Sequence, residues 1–377
     1  MTKQHERRPD HADRAQSAHH THRSQRQGPP HQPPQKRKRP PALDIEAILA
    51  HANDPQTDML AEIEAEIAAD QERATAAARS HQVTTAGASA APDLTDIGTL
   101  RGLLRRHGLR PNKAFGQHLL VDRAALDTIV AAADLRPDEN ALEVGAGTGV
   151  LTVELAQRAR RVVAVELDQA ILPVLRETTA RFPNVEIIPR DLLDVNPAEV
   201  FGAEPYKLVA NLPYYITALT MRHFLENANP PRLLVVMVQK EVAERMAAAP
   251  GDMSLLSLSV QFYGAPQIIA QVPAASFFPP PQVDSAIIRV DLFPKPPLAG
   301  SEREQFFRLA HAGFAEKRKQ LHNSLARNLH LPQETIARWL ATAEISPMRR
   351  AETLSMEEWL RLTRITLADD AQTAADD

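Results

Sequence analysis

Three polar side chains stand where apolar runs stop: Glu166 after "RVVAV", Asp191 after "VEIIPR" and Asn211 after "YKLVA". Upstream, "LEVGAGTGV" spaces Gly145, Gly147 and Gly149 as G-x-G-x-G. Glycine in such a turn permits positive φ and lets a ligand approach the backbone closely. Ligands in open α/β sheets collect at the carboxyl ends of the strands, so these residues are read as one site. Val150 stands where a dinucleotide fingerprint wants its third glycine, which disfavours NAD. Glu166, about twenty residues past the glycines, is placed to accept from ribose hydroxyls. Asp191 would accept from an adenine amine. There is no G-x-x-x-x-G-K-[ST] loop to grip phosphate. A nucleoside pocket without a phosphate grip fits S-adenosylmethionine as cofactor.

The fourth apolar run ends in Asn211-Leu212-Pro213-Tyr214. An adenine N6 is a poor nucleophile, because its lone pair is delocalised into the ring. Acceptors aimed at both amine hydrogens favour a pyramidal nitrogen. The Asn211 side-chain oxygen is one such acceptor, and the Leu212 carbonyl, restricted by Pro213, is the other. Tyr214 offers a face on which an extruded base can stack. Tyr215 is left a packing role.

The positions of these residues require a particular scaffold. Five short runs rich in Val, Ile and Leu ("ALEVG", "RVVAVELD", "VEIIPRD", "YKLVANLP", "RLLVVMVQ") alternate with helical spacing, as in a doubly wound parallel sheet. Asp122 is the expected N-cap of "DRAALDTIVAAADL". "LLSLSVQFYG", "PQIIAQVP" and "AIIRVDLF" read as strands that add an antiparallel edge. From Ser301 only helices are expected, the last opened by a Ser355/Glu358 capping box. The expected fold is therefore α/β, a doubly wound sheet over residues 96–297, which the resemblance given below implies to be Rossmann-like, of the class I S-adenosylmethionine-dependent methyltransferase kind. A small all-helical domain follows at 298–368, with a tail at 369–377.

Residues 1–95 read as a low-complexity, disordered extension, with marginal helices at 42–79. Removing it is expected to preserve folding. The 377-residue chain carries a net charge of −4 and no cysteine. Disulfides and Cys-ligated zinc are excluded, no metal is expected, and the composition fits a cytoplasmic protein with no membrane span.

Seven segments resemble the ribosomal RNA adenine N6,N6-dimethyltransferase family, and within it the small-subunit, KsgA-like branch. Besides "VGAGTG", "VELD" and "NLPYYIT" these include "NKAFGQHLLVD", "MVQKEVAERM", "SFFPPPQVDSAIIRV" and "FAEKRKQLHNSL", within about Leu100 to Leu367. The resemblance implies a cofactor-binding set of His118, Leu120, Gly145, Gly147, Glu166, Asp191 and Asn211. Many relatives carry Asn where this chain has His118. It also implies that an aromatic, Phe277 or its neighbour Phe278, faces the target adenine opposite Tyr214. The catalytic set is then Asn211, Leu212, Pro213, Tyr214 and Phe277.

A ribosomal substrate needs phosphate contacts from clustered cations. Arg105, Arg106, Lys113, Lys317, Arg318 and Lys319 are the candidates, with Arg101, Arg110, Arg349 and Arg350 beside them. The implied activity is dimethylation of two adjacent adenosines in a hairpin near the 3′ end of 16S rRNA, within an immature small subunit, by a monomer. The rivals are the large-subunit methylase of the macrolide-resistance type and a noncatalytic assembly factor.

Overall fold

A computed structural model describes residues 93–109, 118–316 and 318–376. The expected extension up to residue 92, with its helices at 42–79, lies outside them, as do Arg110, Lys113 and Lys317. The strands are β1 (Leu119–Leu120), β2 (Asn140–Val144), β3 (Arg161–Val165), β4 (Val185–Ile188), β5 (Tyr206–Asn211), β6 (Leu233–Gln239), β7 (Gly264–Val272), β8 (Phe277–Phe278) and β9 (Ser285–Leu292). Helices α1 to α8 are Ile97–Arg106, Arg123–Ala133, Val150–Ala156, Leu172–Thr179, Pro197–Phe201, Thr217–Leu225, Lys240–Met246 and Leu255–Gln261. Helices α9 to α12 are Gly300–Phe314, Leu321–Leu329, Gln333–Thr342 and Met356–Asp376.

Seven strands form one sheet in the order β4-β3-β2-β5-β6-β9-β7. The first five are parallel, and β9 and β7 close the edge antiparallel. The order reverses between β2 and β5, which opens a crevice at their carboxyl ends. Side-chain alternation sorts β5 onto two faces. Leu208 and Ala210 join one apolar cluster and Val209 the other. The first cluster runs on through Phe262 and Phe306 into Trp339 and Trp359, so the last four helices share a core with the sheet.

Asp122 caps α2, its carboxylate accepting from the Ala124 and Ala125 N–H groups. Ser355 and Glu358 exchange hydrogen bonds before α12. The segment expected as a strand at "LLSLSVQFYG" is instead α8. Ser254 and Ser257 bond each other's backbone in a reciprocal cap, and this outweighs the period-two look of Leu-Ser-Leu-Ser. Packing contacts with the sheet domain also begin before residue 96. Leu94 is buried against Leu103, Ile171 and Val174, and Asp96 caps α1.

Candidate active site

The carboxyl ends of β2, β3, β4 and β5 surround one pocket. Gly145 and Gly147, with φ of 73° and 55°, turn the chain out of β2. A side chain at Gly145 would point at Pro213 Cδ, 3.6 Å away, and one at Gly147 at Leu119, also 3.6 Å away. Both would fill the cradle.

Glu166, at the end of β3, fixes this turn. Its Oε2 accepts from Gly147 N at 2.8 Å and its Oε1 from Asp168 N at 2.8 Å. Burial raises its carboxyl pKa and the backbone donors work against that. Each oxygen keeps a lone pair for a further donor. Asp191, past β4, spends Oδ1 on Leu193 N at 3.0 Å. Its other oxygen takes no such bond.

Asn211 ends β5. Its Nδ2 donates to the His118 carbonyl at 3.2 Å, which orients the amide and leaves Oδ1 as an acceptor on a residue that lines the pocket. Leu212 N bonds Met237 O, locking the backbone just before Pro213. The Tyr214 hydroxyl meets Ser285 Oγ at 2.7 Å, which fixes the ring. Burial, opposed by Ser285, keeps that phenol's pKa above its usual value.

His118, Leu120, Gly145, Gly147, Glu166, Asp191, Asn211, Leu212, Pro213, Tyr214 and Phe277 all line this pocket. Phe278 does not. It is buried with Leu100, Leu104 and Leu119, beneath the Arg101 guanidinium at 4.9 Å. Phe277 and Phe278 sit on β8, which pairs antiparallel with β1.

Several pocket residues were not legible in the sequence. Leu167 and Leu193 are apolar and about 40% exposed, at 44% and 38%, on the rim beside the two acids. The available signal was a leucine placed immediately after, or two residues after, a strand-end acid. Tyr215 is 60% exposed and lines the mouth, which replaces the packing role expected of it. Glu143 is fully buried within β2, and its Oε2 has no partner. Burial pushes its carboxyl to about 8, with Glu166 adding to the rise and Thr152 opposing it. An acid inside "ALEVG" was the sign of it.

The cations divide. Arg105, Arg318 and Lys319 are exposed. Arg106 pairs with Glu177 at 2.7 Å. Arg349, proposed for phosphate, is half-buried and bound to Glu358 and the Thr353 carbonyl, because it ties α12 to the preceding turn. Among the described residues no helix is long and apolar enough to cross a membrane.

A family model described as "Ribosomal RNA adenine dimethylase" matches residues 108–367. The chain is 49% identical over 261 residues to a ribosomal RNA small subunit methyltransferase A of Dehalococcoides mccartyi, covering 69% of this chain and 90% of that one. It is 39% identical to the protein of that name from Alkaliphilus metalliredigens, covering 70% and 94%. Among solved structures, the 23S rRNA methyltransferase ErmE is similar with a TM-score of 0.56 and 30% identity, covering 66% of this chain and 98% of that one. A dimethyladenosine transferase from Plasmodium falciparum gives 0.55 and 26%, covering 65% and 96%.

Proposed function

We propose a role for each pocket residue from the premise that this chain belongs to the ribosomal RNA adenine dimethylase family. The protein is an S-adenosylmethionine-dependent enzyme that dimethylates N6 of two adjacent adenosines in a hairpin near the 3′ end of 16S rRNA. The relatives that share 39% to 49% of its residues are small-subunit enzymes, whereas the large-subunit neighbour shares 30%. This favours the small-subunit reading over the macrolide-resistance type.

The observation that carries the assignment is the convergence of Glu166, Asp191 and Asn211 from three strand ends on one pocket walled by Tyr214 and Phe277. The glycine cradle, the spare carboxylate lone pairs and the apolar rim fit a nucleoside with no phosphate. Glu166 holds the ribose hydroxyls, Asp191 the adenine amine, and Leu167 and Leu193 the faces of the ring. Leu120, Gly145, Gly147 and the backbone at His118 close around the rest. When bound, S-adenosylmethionine supplies a methyl group on a sulfonium centre.

On the substrate side, Asn211 Oδ1 and the Leu212 carbonyl accept the two N6 hydrogens and hold the nitrogen pyramidal. Pro213 keeps that carbonyl in place. Tyr214 and Phe277 wall the extruded base. The N6 proton becomes acidic as the nitrogen turns cationic, so no strong side-chain base is required. Arg105, Arg106, Lys113, Lys317, Arg318 and Lys319 contact RNA phosphates, Arg106 by exchanging an exposed ion pair of small worth.

The substrate is the rRNA within an immature small subunit, and the enzyme acts as a cytoplasmic monomer. Methyl transfer to immature small subunits by the parent and by Asn211→Ala tests the site. A loss of about 100-fold or more is expected. Equal, negligible rates in both would favour an assembly platform without catalysis.

A further inference from the structure

His118 stands immediately before β1, in the pocket wall. Its Nδ1 lies 2.8 Å from the Pro279 carbonyl oxygen, so Nδ1 carries a proton and donates it. Its ring is stacked on Tyr214, with centroids 5.8 Å apart and planes inclined by 26°. Its own carbonyl accepts from Asn211 Nδ2. One residue therefore touches the amide assigned to the target amine, the tyrosine assigned to the target base, and the loop that follows Phe277.

An adenine sandwiched between the two rings would need two stacking gaps of about 3.4 Å each. The 5.8 Å separation cannot hold it. On that face of Tyr214, the imidazole and the base exclude each other. The imidazole is held there by one hydrogen bond and one ring contact, each worth a factor of roughly ten or less. Such ties break at the cost an extruded base can supply.

We propose that His118 is a positioning residue for the target base. Its imidazole occupies the stacking face of Tyr214 until the adenine displaces it, and it thereby sets base capture and not donor affinity. The inference rests on the reading of Tyr214 as the base-stacking wall. The apparent affinity for the base is reduced by the fraction of molecules in which the imidazole has already left. Removing the imidazole removes that factor.

The test uses the full chain, with unmethylated small subunits as substrate, for the parent, His118→Ala and His118→Asn. Both variants should lower the KM for small subunits, about tenfold for the alanine, by a larger factor than they change kcat. The donor Kd should hold within about twofold, reading the RNA side and the donor side separately. An unchanged KM in a folded variant overturns the proposal. So does a tenfold rise in donor Kd with the KM unchanged, which makes the side chain a donor ligand.

A second measurement needs no turnover. In the parent labelled at histidine, the His118 ring signals, assigned by their loss in His118→Asn, should carry a Tyr214 ring-current shift that Tyr214→Leu abolishes. Adding a 16S rRNA 3′-hairpin should move them toward the unstacked position. Signals that do not move on RNA binding overturn the gate. A parent that fails to methylate small subunits while the signals move as described overturns the functional reading alone.

Discussion

Glu143 provides the sharpest quantitative prediction. It is 2% exposed, its Oε2 is unpaired, and burial is the main reason its carboxyl is pushed from 4.5 to about 8. The native state thus holds a proton that the unfolded chain releases between those two values. Stability from this group is fully present below 4.5 and declines as pH rises through about 8. At about 1.36 kcal/mol per pH unit, the full shift corresponds to roughly 5 kcal/mol, most of which falls between about pH 5 and pH 8. Glu143→Gln keeps the shape and removes the proton. Urea denaturation of both proteins across that range should show the parent losing stability relative to the variant by that amount. Glu166, also raised by burial, remains in both proteins. Parallel stability curves for parent and variant would refute the argument, because they would mean that the buried carboxyl ionises without cost.

Three further outcomes follow from packing and charge. A chain that starts at Asp93 keeps Leu94 in its apolar cluster, whereas one that starts at Asp96 should lose about 2 kcal/mol in a denaturation titration. Gly313→Ala would place Cβ 2.5 Å from the buried Trp359 ring, and overpacking of this kind should cost about 1–3 kcal/mol in the same assay. Replacing exposed Arg318 and Lys319 together by alanine should weaken small-subunit binding and reduce the slope of its salt dependence by about two, leaving donor affinity unchanged.

Strands β3 and β6 were legible because burial on both faces makes them nearly unbroken apolar runs, whereas the half-buried edge strand β4, with Glu186 exposed, was legible from its β-branched residues. Their final residues could be interpreted for the same reason, since a polar side chain at the end of such a run needs another explanation. The α8 segment was not legible, because a Ser-x-x-Ser cap and a Leu-Ser alternation occupy the same ten residues and only tertiary contact decides between them. Strands β1 and β8 carry no local signal at all. Two residues each, more than 150 positions apart, they exist only as a pair. Whether Arg349 faces RNA or Glu358 also depends on a partner that charge counting along the chain does not identify.

That short pairing has a mechanical consequence for the site. Leu119 and Leu120 on β1 and Phe277 on β8 line the pocket, and the two strands are in register with each other. Asp122 extends the connection: it caps α2 with Oδ1 and accepts from the Ser276 hydroxyl with Oδ2 at 2.6 Å, while Val121 N bonds Ser276 O. The Ser276 hydroxyl, more than the helix N–H groups, holds the Asp122 carboxyl below its usual range. Helix α2, β1 and Phe277 are thereby tied together by the Asp122 carboxylate and by the backbone bonds between the β1 and β8 segments. If the target base displaces His118 as proposed, β1 and its pairing with β8 would carry that shift to Leu120 and Phe277. The Asp122 cap therefore helps to hold two walls of the pocket, Leu120 and Phe277, in one relative position without lining the pocket itself.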